Sequence, residues 1–139
     1  MKILKGINLL VLSVIIFLEA IPFGIKLTWA IDQGLSTSMY HAYFDPMVWG
    51  ASGDMSPFMC SLLTIAIAVM TLISLFLKTQ PRALHTTICV LSWIAVAFSL
   101  LPIMVDHYTA IGAIITALLI TSAELSSFAR SRLNNIKAR

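Results

Sequence analysis

Two glutamates, three histidines and two cysteines are the side chains with which this chain of 139 residues could do chemistry, and most of what surrounds them is apolar. Glu19 stands inside "IIFLEAIPFGIK". A carboxylate at mid-helix in lipid costs on the order of 3 kcal/mol on insertion scales, so it is kept where it pairs, takes up a proton or lines an ion path. Asn8 lies three helical turns earlier on the same face, which gives that segment a polar stripe turned toward neighbouring helices. Glu124 closes another apolar run, with Arg130, Arg132, Lys78 and Arg82 available as counter-charges. Both glutamates are candidate ion or proton ligands. The plainer account of each is a structural carboxyl that pairs and orients its helix.

His41 and Asp45 are four residues apart and share a face if that stretch forms a helical turn. Together with Asp54, Asp106 and His107 they make a candidate divalent-cation site, against the plainer reading of solvated surface. The chain has no HExxH, no paired CxxC and no twelve-residue calcium loop. Cys60 falls near the outer end of the second segment and Cys89 near the inner end of the third, and a disulfide needs Cα atoms within about 7 Å, so neither pairing nor dithiol redox chemistry is expected. No GxSxG or phosphate-binding glycine loop occurs, and the two glutamates sit at opposite depths and cannot form a catalytic pair. The expectation is a non-enzymatic protein with no cofactor.

The elements that position these residues follow from composition. Hydrophobic residues are 59%, charged residues 11% and mean hydropathy +0.94, far from the balance of soluble domains and close to that of chains that live in a bilayer. A hydrocarbon layer of about 30 Å needs about 20 helical residues. Four segments qualify, at about 6–25, 57–77, 86–104 and 109–128, with Ser56 and Asp106 as candidate caps and Pro57 at a first helical position. The segments are continuously apolar, and open sheet edges are not tolerated in lipid. The fold class expected is all-α: a polytopic membrane protein of four transmembrane helices with an ordered extracellular loop between the first two. A cleaved secretory signal is the rival reading of the first segment, but Leu18-Glu19-Ala20 is a poor small-residue cleavage triplet.

Eight of the nine basic residues fall on one side of this layout and only Lys26 on the other, which places both termini in the cytoplasm of a multi-pass cell-membrane protein. The outer loop, 26–56, carries Trp29, Tyr40, Tyr43, Phe44 and Trp49, aromatic side chains suited to the headgroup layer or to a partner. In the fourth segment Ala113, Ala117 and Thr121 recur every four residues with Glu124 on the same flank, a face that lets another helix approach closely. The tail, 129–139, sets Arg130, Arg132, Lys137 and Arg139 among apolar residues, a pattern that suits a helix on anionic lipid. The basic residues serve topology, so nucleic acid is not an expected partner.

"IPFGIKL", "YFDPMVWG", "SPFMCSLLT" and "SLLPIMVDHYTAIGAIITALLITSAEL" resemble the uncharacterised small four-span membrane proteins of Gram-positive bacteria, in which a Pro-Gly pair ends the first span. The resemblance covers most of the chain and implies the four-span fold but no activity. It departs after the loop glycine, where this chain has Ala51, Ser52, Gly53 and Asp54. "AIGAIITALLITSAEL" is also similar to the fourth span of small multidrug-resistance transporters, which use a first-span glutamate, but their loops are short and their charge bias weak. The partners expected are the lipid bilayer and a membrane-protein partner or second copy, bound through the aromatic outer loop. The alternative is a small proton- or cation-coupled transporter or channel that uses Glu19.

Overall fold

The computed structural model describes residues 2–32, 35–45, 55–77, 81–104 and 107–137. Four helices, α1 (Lys2–Ala20), α2 (Ser56–Phe76), α3 (Arg82–Met104) and α4 (Ala110–Lys137), surround a common core, with strands β1 (Ile25–Asp32) and β2 (Leu35–His41) between α1 and α2. Each helix packs on the next and α4 returns to α1. Cross-contacts fix the directions: Lys5 reaches Ser74 and Glu19 reaches Thr64, so α2 runs against α1, while Asn8 meets Ser126 at the far end of α4. Ser99 and Thr116 likewise set α4 against α3. The bundle therefore runs up, down, up, down.

All four helices are long and apolar enough to cross a membrane. Their surfaces are sorted in the manner that lipid demands. Ile3, Leu10, Phe17 and Phe76 are at least 65% exposed, whereas Ser61, Thr64, Ser74, Ser92, Ser99 and Ser122 are buried between helices. Water would drive that arrangement the other way. Small hydroxyl residues let backbones approach, and each can return its proton to a carbonyl of its own helix. Thr64 does so to Cys60, Ser92 to Ile88 and Ser99 to Val96.

The first helix stops at Ala20 rather than continuing to Ile25, because Pro22 has no N–H and disfavours helical geometry at Ile21. Pro22 thus marks a helix end rather than a bend within a longer helix. The carbonyl of Leu18 accepts Ile21 N at 3.2 Å, and that of Glu19 accepts Tyr43 N at 3.0 Å. Ser56 is already helical, with Met55 at the cap position making no side-chain bond. Thr109 caps α4: its Oγ1 accepts Gly112 N at 3.0 Å and donates to Gly24 O at 2.7 Å. Asp106, the cap expected from sequence, lies outside the described residues. The fourth helix continues through the basic tail to Lys137 without a break.

The expected all-α class holds for the four helices, while the segment between α1 and α2 adds a β-hairpin to it. Ile25 pairs with His41 and Leu27 with Met39 in an antiparallel register, with an irregularity between Ala30 and Asp32. Isolated two-stranded hairpins are marginal, and this one is pinned at its base: Lys26 N donates to His107 O at 3.1 Å and Ile25 bridges to Tyr108. Ile25 and Leu27 face inward and join the bundle core. Tyr43, 1% exposed, completes the seal by lying against Gly24 and Gly112.

A Cβ on Gly24 would come within 2.8 Å of the Tyr43 ring, and one on Gly112 within 3.2 Å of the Gly24 carbonyl. Gly24→Ala and Gly112→Ala are therefore expected to destabilise the detergent-solubilised protein by about 1–3 kcal/mol each. Gly6, with open space around it, should accept alanine with unchanged or higher stability. Thermal unfolding of the three variants side by side checks this, and equal melting temperatures would contradict the seal.

Candidate functional site

Glu19 occupies the last turn of α1 and is wholly buried. Its carboxyl turns inward to α2, where Thr64 Oγ1 lies 2.9 Å and Cys60 Sγ 3.8 Å from the same oxygen, Oε1. Cys60 and Thr64 are one helical turn apart, so both side chains project from one face of α2. Across the core, Ala95 of α3 offers its carbonyl to Cys60 Sγ at 3.6 Å. The second carboxyl oxygen, Oε2, has no hydrogen-bond partner among the described residues. No cation of the described residues forms an ion pair with it.

The donors around Oε1 have a second feature in common. Thr64 has one hydroxyl proton but two acceptors in reach, Glu19 Oε1 and the Cys60 carbonyl at 3.0 Å. Cys60 has one thiol proton and also two acceptors, Glu19 Oε1 and the Ala95 carbonyl. Hydrogen placement follows from this inventory of donors and acceptors. When the carboxyl carries a negative charge, both protons can turn to it. When it carries its own proton, Thr64 can accept a hydrogen bond from it and donate its own hydroxyl to Cys60 O, while the thiol turns to Ala95 O. Neither state leaves a donor stranded.

The main chain of Glu19 ties the same turn to the hairpin through Tyr43 N. Residues that cap the bundle and residues that hold the carboxyl are thus joined at one position. The polar stripe expected on α1 is present: Asn8 is buried, accepts from Ser122 Oγ at 2.8 Å and donates to Ser126 Oγ at 3.2 Å.

Other candidates fall elsewhere. Glu124 is exposed on α4, as are Ala113, Ala117 and Thr121, so the small-residue face expected to meet other helices points away from the bundle, whose contacts use Gly112, Ile115, Leu119 and Ala123 instead. His41 Nδ1 and Asp45 Oδ2 do meet, at 2.7 Å, but across a turn at the end of β2 rather than along a helix. His107 lies beyond β1, bonded to it through its carbonyl. No group of three or more His, Cys, Asp or Glu able to hold a metal occurs among the described residues.

Of the aromatic loop residues, Tyr43 is committed to the seal, Phe44 is half-buried and Tyr40 is exposed against Phe23 with ring centroids 5.9 Å apart. The backbone of Trp29 lies in β1; its side chain and all of Trp49, Asp54, Lys78 and Arg139 lie outside the described residues. At the tail, Arg130 and Arg132 are exposed and the Arg132 guanidinium sits 5.0 Å over the Phe128 ring. Lys137 ends α4, its side chain outside those described. Cys60 and Cys89 are both free.

Sequence reasoning found Glu19 but not its partners. Cys60 and Thr64 read as ordinary residues of an apolar segment, and only their one-turn spacing marks them as a pair. Thr64→Val keeps the volume and removes the donor, and it should cost about 1–3 kcal/mol in the wild-type background. The same change beside Glu19→Leu, which removes the acceptor, should cost measurably less, with a coupling above about 0.5 kcal/mol in a double-mutant cycle of denaturation free energies. Strict additivity would mean that the two side chains do not meet.

Compared with known proteins, the chain matches no protein-family model, no curated protein and no solved structure, so its functional reading rests on the geometry of these residues.

Proposed function

We propose that the protein is a non-enzymatic multi-pass membrane protein that binds and releases a proton at Glu19, as the proton-handling carboxyl of a small transporter or channel. The observation that carries this reading is the pair of donors, Thr64 and Cys60, each with an alternative backbone acceptor beside the carboxyl. A lone charge sealed among apolar side chains is costly, and a proton supplies the balancing charge without requiring further ligands. An ionisable residue within a spanning helix is, on physical grounds, first a candidate for ion or proton traffic. Glu19 lies at the hairpin end of the bundle, so exchange with water passes by Tyr43 and the Gly24–Gly112 contact. With the basic flanks of α1, α2, α3 and α4 in the cytoplasm, that end faces outward across the cell membrane.

The test is a pH-difference infrared spectrum of the protein in lipid. A carboxylic-acid carbonyl band that appears and disappears with pH in the wild type and is absent from Glu19→Gln is the expected result. Thr64→Val should move that band, because Thr64 is its hydrogen-bond partner. A spectrum in which Glu19→Gln removes no titrating carboxyl band would overturn the proposal.

A second reading, binding of a membrane or envelope partner through the outer loop, is favoured by one observation. Residues Ser36 to Tyr40 are all exposed, and Phe23, Met39 and Tyr40 add apolar surface there. Met39→Ser with Tyr40→Ser leaves Tyr43 and the seal intact. The expected result is loss of a copurifying membrane component in mild detergent at unchanged melting temperature, and retention of every copurifying protein would count against this role.

A further inference from the structure

At the opposite end of the bundle a second polar site is built from residues that the reading of Glu19 does not use. Lys5 is 4% exposed, and its Nζ donates to the Ser74 carbonyl at 3.0 Å, in the last turn of α2. His85, in the first turn of α3, is equally buried. Asn8 completes the wall with its amide held by Ser122 and Ser126. These side chains and Thr71 line a cavity of about 20 Å³, room for one particle of about the size of a water molecule.

Three observations specify what fills it. Thr71 is 2% exposed, lines the cavity, and its Oγ1 has no hydrogen-bond partner among the described residues, although buried hydroxyls are ordinarily bonded. Among the described residues no Asp or Glu contributes to the wall. The ammonium of Lys5 places a positive charge there, so a metal cation is repelled and a negative ligand is drawn in. Ser74 and Thr71 lie on one face of α2 and both line the cavity, the Ser74 hydroxyl donating to the Thr71 carbonyl at 2.7 Å.

We propose that this cavity binds a single halide-sized anion, chloride in solution, held by Lys5 with the Thr71 hydroxyl as a donor. The site is separate from Glu19 and does not rest on the proton-binding reading. It also gives Lys5 a purpose beyond setting topology: a basic residue counted as a cytoplasmic flank is folded into the bundle with an anion as its companion.

Thermal unfolding of the full chain in mild detergent tests it, in chloride, bromide or gluconate at one ionic strength and one pH. A saturable rise of melting temperature with chloride and bromide over gluconate is expected in the wild type, because a ligand bound only by the folded state stabilises it. Thr71→Val should raise the halide concentration for the half-maximal effect roughly 10- to 100-fold, the cost of one hydrogen bond to a charged group. Lys5→Gln should abolish the effect, while Glu19→Gln should retain it. Equal melting temperatures in halide and gluconate for the wild type would overturn the proposal and leave the cavity to water. So would a halide effect of the same size and midpoint in Thr71→Val.

Discussion

The last turn of α1 is the point on which the rest of the structure depends. Because Pro22 ends the helix there, the carbonyl of Glu19 is released from intrahelical bonding and receives Tyr43 N, which ties down the far side of the hairpin. The side chain of the same residue crosses to Thr64 and Cys60 and fixes α2. One residue thus joins α1, α2 and the cap, through two groups of different chemistry. In lipid, where water does not compete for hydrogen bonds, such a junction is harder to replace than in a soluble core.

The bundle around it is consistent with that solvent. Helix association in a membrane draws on close packing and interhelical hydrogen bonds rather than on burial of large apolar groups. The described interior accordingly holds serines, threonines, Gly112 and Ala123, and much of the bulk of Ile3, Leu10, Phe17 and Phe76 is turned outward. Polarity is concentrated toward the two ends of the core, Lys5 and Asn8 at one and Glu19 at the other, with Leu12, Ile15, Ile67 and Leu119 among the wholly apolar buried residues.

Much of the helical layout was legible because continuous apolar runs and prolines are strong local signals; α2, from Ser56 to Phe76, shows it best. The hairpin was missed although its pattern is visible: Ile25, Leu27, Trp29 and Ile31 alternate with Lys26, Thr28, Ala30 and Asp32, and Gln33-Gly34 separates this run from the next. Glu19 was legible as a lone charge in grease. Thr64, Cys60, Thr71 and the burial of Lys5 were not, since they depend on which faces of α1 and α2 meet, and a uniformly apolar helix does not announce its inward face. For the same reason the small residues Ala113, Ala117 and Thr121 mark a face that permits close packing without saying whether it meets the bundle or a separate helix; it is exposed.

The central claim is that the chain crosses a membrane with its hairpin on one side, the end of α4 on the other and Glu19 sealed between them. Single cysteines placed at Ser38 or Ser131, in a background with Cys60 and Cys89 changed to alanine, can be probed in sealed vesicles with a membrane-impermeant thiol reagent. The two positions are expected to react from opposite faces, while a cysteine at position 19 stays unreactive until the protein is unfolded. Labelling of both positions from the same face, or rapid labelling at 19 in the folded protein, would contradict it.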